Sequence, residues 1–421
     1  MTPRPSRSVP RLTSRETTVP TLSLLSLVLF GAAGLGLLIL AGILVCVVLH
    51  LRRPAPVPAA LPGLSVLKPL CGVDDDLEKN LVSFAEQDYA GPWEVLLGVK
   101  DTQDPAYQVA RRVVRKHPRR FRLLVQEGVP GLNPKVNQLV TLSRHARHEA
   151  YVVSDSNVRV HAEYLTEIAA GLTQPDVACV THPVAGRGEE AFGSLMDNVH
   201  LATSVGPGQI SAMMAAGKPL VVGKSMAMWK ADLEQVGGFM GLKDFLAEDY
   251  VFGRWVGERL GKRVVVGHTP VHNYSRNKTV ADFVARYRRW GVIHRTAVSL
   301  PTSLGQGLLQ PGFFALLGFM AEPSRYTFAG LLAVLAGKVL VDVGYLEAIR
   351  PGPVTARLAV GILVKDFIVQ CCWLNGFVER TVNWRGNRLR VGLNSQLLGA
   401  GPAEPSLSGE QADVPPSSAA A

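Results

Sequence analysis

The sequence predicts an α/β domain with a mainly parallel sheet, set between apolar segments long enough to cross a membrane. Two observations carry this. Leu22 to Leu49 contains no charged residue, and at about 1.5 Å per helical residue it exceeds the ~30 Å hydrocarbon core of a bilayer. From Leu64 to about Arg295, short apolar runs alternate with helical periodicities, as in strands joined by crossover helices.

The elements follow in order. Residues 1–21 are polar and rich in Pro, Ser, Thr and Arg, a composition that favours disorder. Residues 22–49 read as a transmembrane anchor: the apolar run is too long for a signal-peptide core and lacks a clear small-residue cleavage site. Residues 50–63 include the stretch RRPAPVPAALPG, a stiff, extended linker. Strands are expected at Leu64–Leu67, Val95–Val99, Arg122–Val125, Tyr151–Val153, Val177–Thr181 and Arg263–Val266. Between them Leu77, Leu81 and Phe84 recur at helical spacing. Asp104-Pro105 and Asn133-Pro134 read as N-caps followed by proline in the first turn.

After this 64–295 domain, residues 296–380 read as membrane-embedded or interfacial helices. Thr296–Ala321 is uncharged but holds Gln306, Gln310 and Pro311. Tyr326–Ile349 carries Lys338, Asp342 and Glu347, and Val354–Phe377 carries Arg357, Lys365 and Asp366. Ionisable groups at such depth face partners or a cavity. Lys338 and Asp342, four apart, suit a pair on one helix face, either structural or gripping a polar lipid headgroup. Residues 381–421 form a C-terminal segment and a tail, expected to be disordered beyond Val391.

The formal charge of +10 is scattered along the chain of 421 residues, and nothing resembles a nucleic-acid recognition module. Membrane lipids and phosphate-bearing ligands are the partners it suits. The five cysteines are odd in number and lack metal-type spacing, which argues against a disulfide framework or a zinc site and for a reducing compartment.

Ligands of open α/β sheets sit outside the carboxyl ends of the strands. Asp101 ends EVLLGVKD, Asp155 follows YVVS with Asn157 two residues on, and Glu248 and Asp249 open a helix. Each alone has an ordinary explanation: a strand-end cap, an Asx-turn, a carboxylate complementing a helix dipole. If they converge, Asp155 and Asn157 offer hard oxygens to the Mg2+ or Mn2+ that offsets a nucleotide diphosphate. Asp249 then suits a general base. Arg286 and Arg289, three apart, share a helix face as a phosphate clamp, with Trp290 as a platform beside them. The same helix also suits a basic face on a membrane surface.

The order D…DSN…EDY…RxxRW, followed by membrane segments, resembles the family 2-type glycosyltransferases with a GT-A fold, and more closely the ceramide glucosyltransferase family. SVLKPLCGVDDDLEKNLVSFAEQDY, EVLLGVKDTQDPA, GLNPKVNQL, SDSNVRV, LAEDY, RYRRW and VNWRGNRLRVG are similar to that family's motifs over roughly 64–392. The resemblance implies a Rossmann-like GT-A catalytic domain. By it, Asp101 would bind the uridine end of a UDP-sugar donor and Lys135 would help hold the nucleotide. Asp155 would contact donor and metal, Asp249 would be the base, and Arg286, Arg289 and Trp290 would close around the diphosphate and the lipid acceptor. The sequence departs from the usual D-x-D at Asn157, an oxygen ligand without charge, so metal binding should be weak.

The implied activity moves glucose from UDP-glucose to the primary hydroxyl of ceramide by a single inverting displacement. It would take place on the cytosolic face of a membrane (the inner one in a bacterium). Alternatives are a lipid such as a hopanoid with a UDP-GlcNAc donor, a processive polysaccharide synthase, or an inactive lipid- or nucleotide-binding membrane protein. The few C-terminal spans disfavour the synthase, and the intact acid set disfavours the inactive protein.

Overall fold

A computed structural model describes residues 23–218, 220–384 and 387–399. The expected disorder of residues 1–21, and of the tail from 400 onward, lies outside the described residues. The centre is a seven-stranded sheet of β1 (Leu64–Pro69), β2 (Trp93–Val99), β3 (Phe121–Val125), β4 (Ala150–Val153), β5 (Val177–Thr181), β6 (Met226–Trp229) and β7 (Arg263–Val266), in spatial order β3-β2-β1-β4-β6-β5-β7. Neighbours are parallel except β6, which runs antiparallel to both β4 and β5. β6 was not among the expected strands. Its sequence, MAMW, has no β-branched residue to signal it, and the gap between β4 and β5 supplies the pairing.

The strands read as continuous apolar runs because both faces are covered. Leu64, Val66, Val95, Leu97 and Val152 point to one side, against Leu81, Phe84, Val109, Val113 and Ile168. Leu67, Leu96, Tyr151 and Val153 point to the other, against Val136, Leu139, Val251, Phe252 and Trp255. The alternation is the two-residue period of a strand. The helix expected to begin with Pro105 starts at Ala106, and Asp104 Oδ1 accepts from its N–H at 2.9 Å. Asn133 caps as expected, accepting from Lys135 N and Val136 N.

Among the described residues, three helices are long and apolar enough to cross a membrane: Leu24–Leu51, Arg325–Ile349 and Ala356–Asn375. Leu300–Gly307 and Pro311–Ala321 meet that test only as a pair, bent by 70°, because Pro311 cannot continue the preceding helix. The first helix packs on the later ones through close approaches. The Phe30 ring lies where Cβ atoms on Gly318 and Gly330 would sit 2.9 and 3.1 Å from it.

The tail expected beyond Val391 is ordered as far as the described chain goes. Asn387–Val391 pairs with Thr381–Trp384 and with Leu397–Leu398. Leu389, Val391 and Leu397 pack on Leu246 and Val292. Composition missed this because the apolar residues holding the segment are few and find their partners far away in sequence.

Candidate active site

The site forms beyond the carboxyl ends of β1 and β4 and is assembled from separate short stretches. Asn133 starts the Pro134–His145 helix, and its Nδ2 also donates to Phe245 O (2.6 Å) and Glu248 Oε2 (3.2 Å). That bond ties the start of this helix to the start of the Glu248–Glu258 helix. Lys135, in the first turn, lies between two carboxylates: its Nζ is 2.9 Å from Asp155 Oδ1 and 2.9 Å from Glu248 Oε1.

The turn after β4 carries Asp155 and Asn157. Both side chains reach one ammonium, that of Lys224, at 3.3 Å from Asp155 Oδ2 and 3.0 Å from Asn157 Oδ1. Lys224 comes from the loop before β6, whose Gly223 N–H donates to Asp249 Oδ2 at 2.5 Å. A Cβ on Gly223 would lie 2.5 Å from Lys135 Nζ and 3.0 Å from Asp249 Oδ2, so any larger residue would displace the Lys135 ammonium and crowd the Asp249 carboxylate. From β1, buried Lys68 donates to Asp155 O at 2.8 Å and sits over the Phe84 ring.

These neighbours give the two aspartates opposite characters. Burial favours the neutral form of Asp155, but Lys135 and then Lys224 outweigh it and hold the carboxyl well below the usual range. Asp249 is pushed up to about 6, by burial first and then by Glu248, against Lys135 and the N–H groups of Gly223 and Tyr250. Burial likewise pulls Lys68 down to about 7 and Lys224 to about 8, in both cases against the attraction of Asp155. Two carboxylates driven apart in this way suit different tasks: one a permanent anion, the other able to take a proton near neutral pH.

The Val280–Ala297 helix supplies the opposite wall. A reciprocal capping box between Thr279 and Asp282 starts it, and Phe283 and Tyr287 bury against Met196 and Cys372. Arg286 Nη1 is 2.8 Å from the fully buried Asp197, which also takes bonds from Lys278 (3.0 Å) and the Tyr287 hydroxyl (3.0 Å). Burial raises the Asp197 carboxyl, but Arg286 and Lys278 hold it down at about 2. The guanidinium of Arg286 lies 5.1 Å from the Trp290 ring centroid, and Trp290 stacks on His294.

Lys135, Asp155, Asn157, Asp249, Arg286, Arg289 and Trp290 all line one cavity of about 2090 Å³. Asp101 stands apart. It is exposed at the end of β2, and its Oδ1 accepts from Gln103 N and Asp104 N. Sequence reasoning missed Lys68, Lys224, Gly223 and Asp197. The GKS in VVGKS was the one local sign of a tight, charged loop.

Among the described residues no three His, Cys, Asp or Glu side chains form a metal-holding group. Asp155 and Asn157 do present two oxygens toward a single cation, the Lys224 ammonium. Such a pair fits a divalent ion whose remaining ligands are diphosphate oxygens and water.

The doubly covered sheet with its antiparallel β6, and a charged cavity at the strand ends holding a raised carboxyl, define a glycosyltransferase domain of the GT-A kind. The chain belongs to glycosyl transferase family 21, whose model matches residues 33–397. Ceramide glucosyltransferase 1 of Caenorhabditis elegans is 27% identical over 363 residues, 83% of this chain and 75% of that protein. Ceramide glucosyltransferase 3 of the same organism is 25% identical over 353 residues, 81% and 75% respectively. Among solved structures, a mannosyltransferase from Pyrobaculum calidifontis in complex with GDP-Man and Mn2+ aligns over 84% of this chain and 98% of its own. That alignment has 18% identity and a TM-score of 0.49.

Proposed function

We propose that this protein is a membrane-bound inverting transferase that moves glucose from UDP-glucose to the primary hydroxyl of ceramide. The observation that carries the reading is Asp249. Its carboxyl, raised to about 6, lines the same cavity as the cationic Lys135, Lys224 and Arg286 and the Trp290 ring. The family and the names of its ceramide glucosyltransferase relatives support the substrate pair.

In this reading Asp249 takes the proton of the acceptor hydroxyl as its oxygen attacks the sugar's anomeric carbon from the face opposite the diphosphate. The bond from that carbon to the diphosphate oxygen breaks, and UDP leaves with its electron pair. Lys135, Lys224 and Arg286 lower the energy of the departing charge. Arg289 and Trp290 border the donor and the acceptor's head. Asp101 is assigned to the uridine end by family resemblance alone. Mg2+ or Mn2+, held by Asp155 and Asn157 with the diphosphate, would offset further negative charge. The three long apolar helices cross the membrane, and the domain faces the cytosol, where UDP-sugars are made.

The test is mass spectrometry of lipids formed by the purified full chain given UDP-glucose or UDP-GlcNAc with ceramide, a hopanoid or diacylglycerol. Hexosylceramide from UDP-glucose is expected. Product only with another acceptor or donor overturns the assignment.

A further inference from the structure

Lys338, Asp342, Lys365 and Asp366 form a closed ring between two of the apolar helices. Lys338 Nζ is 2.6 Å from Asp342 and 2.8 Å from Asp366, and Lys365 Nζ is 2.5 Å from Asp366 and 3.4 Å from Asp342. The formal charges cancel. Asp342 and Lys365 are wholly buried, while the Asp366 and Lys338 side chains keep 15% and 4% exposure. The ring therefore shows one acceptor and one donor outward.

What it faces is the cavity that also holds Asp249 and Trp290. A second cavity, of about 150 Å³, shares Gln310, Lys338 and Asp366 with the first and is otherwise apolar, with Leu316, Leu335, Leu363 and Phe367 in its wall. The ring thus sits where a polar chamber meets an apolar one. Gln370 Oε1 and Thr203 Oγ1, on side chains each only 2% exposed, are among the buried polar atoms that line the chamber without a partner. Unpaired buried polar atoms are costly, and a ligand's head would satisfy them.

We infer that this junction binds the head of the acceptor lipid, and that it selects an uncharged head carrying both hydroxyl and amide groups. Such a head donates to Asp366 and Gln370 Oε1 and accepts from Lys338, while the start of its chain enters the apolar cavity. A phosphate head would bring an unbalanced negative charge beside the Asp366 carboxylate in a poorly solvated place. The fate of the bound lipid rests on the proposed function; its binding does not.

The test uses the full chain in phosphatidylcholine nanodiscs, labelled with a photoreactive ceramide in the absence of UDP-sugar and challenged with ceramide or ceramide 1-phosphate. Ceramide should compete at least about tenfold better than its phosphate. Asp366→Asn gives the ring a net positive charge. It should weaken ceramide by about tenfold and narrow or reverse the preference over the phosphate. Gln370→Leu leaves the ring intact and should weaken ceramide in the same direction; if Asp366→Asn does not fold, Gln370→Leu decides. Equal competition by the two lipids in the wild type, or unchanged labelling in the folded variants, overturns the inference. Selective ceramide labelling, with no glucosyl product when UDP-glucose is then supplied, would refute the proposed function and leave this site standing. Hexosylceramide formation with an unchanged acceptor KM in both variants would refute the site alone.

Discussion

Gly223 donates its backbone N–H to Asp249 Oδ2 at 2.5 Å, so the carboxylate proposed as the base is oriented by a loop and not by a side chain. Asp249→Asn keeps the shape and removes the proton acceptor. Turnover should fall by about 10²–10⁴-fold, while UDP-glucose binding, measured by calorimetry, stays within about twofold, since the base acts on the acceptor. Loss of donor binding in that variant would remove Asp249 from the role.

The raised carboxyl fixes a pH dependence. The base works when deprotonated, so with a value of about 6 kcat/KM should be flat above that pH and drop about tenfold per unit below it. Gly223→Ala forces a Cβ between Lys135 and Asp249 and weakens two influences that lower the Asp249 value. Its acidic limb should move to higher pH, with kcat reduced. A limb that stays in place would show that the loop does not set the base.

Lys224 bridges the two proposed metal ligands, at 3.3 Å from Asp155 and 3.0 Å from Asn157. Ammonium and divalent cation compete for the same oxygens. Lys224→Met should therefore tighten Mn2+ binding in the presence of UDP, read by electron paramagnetic resonance, and make turnover more sensitive to EDTA. Unchanged Mn2+ affinity would place the metal elsewhere.

Asp197 anchors Arg286 from beneath. Its carboxyl sits at about 2, below an unfolded value of about 3.9. The stabilisation is thus fully present above about pH 4 and is lost as pH falls through about 2, and it is worth on the order of 2 kcal/mol. Asp197→Asn should lower the Tm, flatten its dependence on pH in that window, and raise the KM for UDP-glucose as Arg286 loosens. A Tm and KM like those of the wild type would show that the pair contributes nothing.

The elements that local pattern betrays were readable in the sequence, and those set by distant contacts were not. Asn133-Pro134 announces its helix because cap and proline act within one turn, whereas β6 becomes a strand only because β4 and β5 flank it. The site divides in the same way. Asp155, Asp249, Lys135 and Arg286 each carry an ambiguous motif, and their order along the chain gave them meaning. Lys68 and Asp197 carry none, and Lys224 only the GKS of its loop: their roles arise from burial and from the charges the fold brings to them. Asp101, legible at the end of β2, stands outside the cavity that gathers the others. Lys338 and Asp342 were legible as a pair at helical spacing, but Lys365 and Asp366 close the ring from another helix.

The stereochemistry of the product tests the central claim most directly. The purified full chain, given UDP-α-glucose and ceramide, should yield glucosylceramide whose anomeric proton, read by NMR, is β, because Asp249 serves an attack opposite the leaving diphosphate. An α-linked product, or release of UDP with no glucosylceramide formed, would contradict the account.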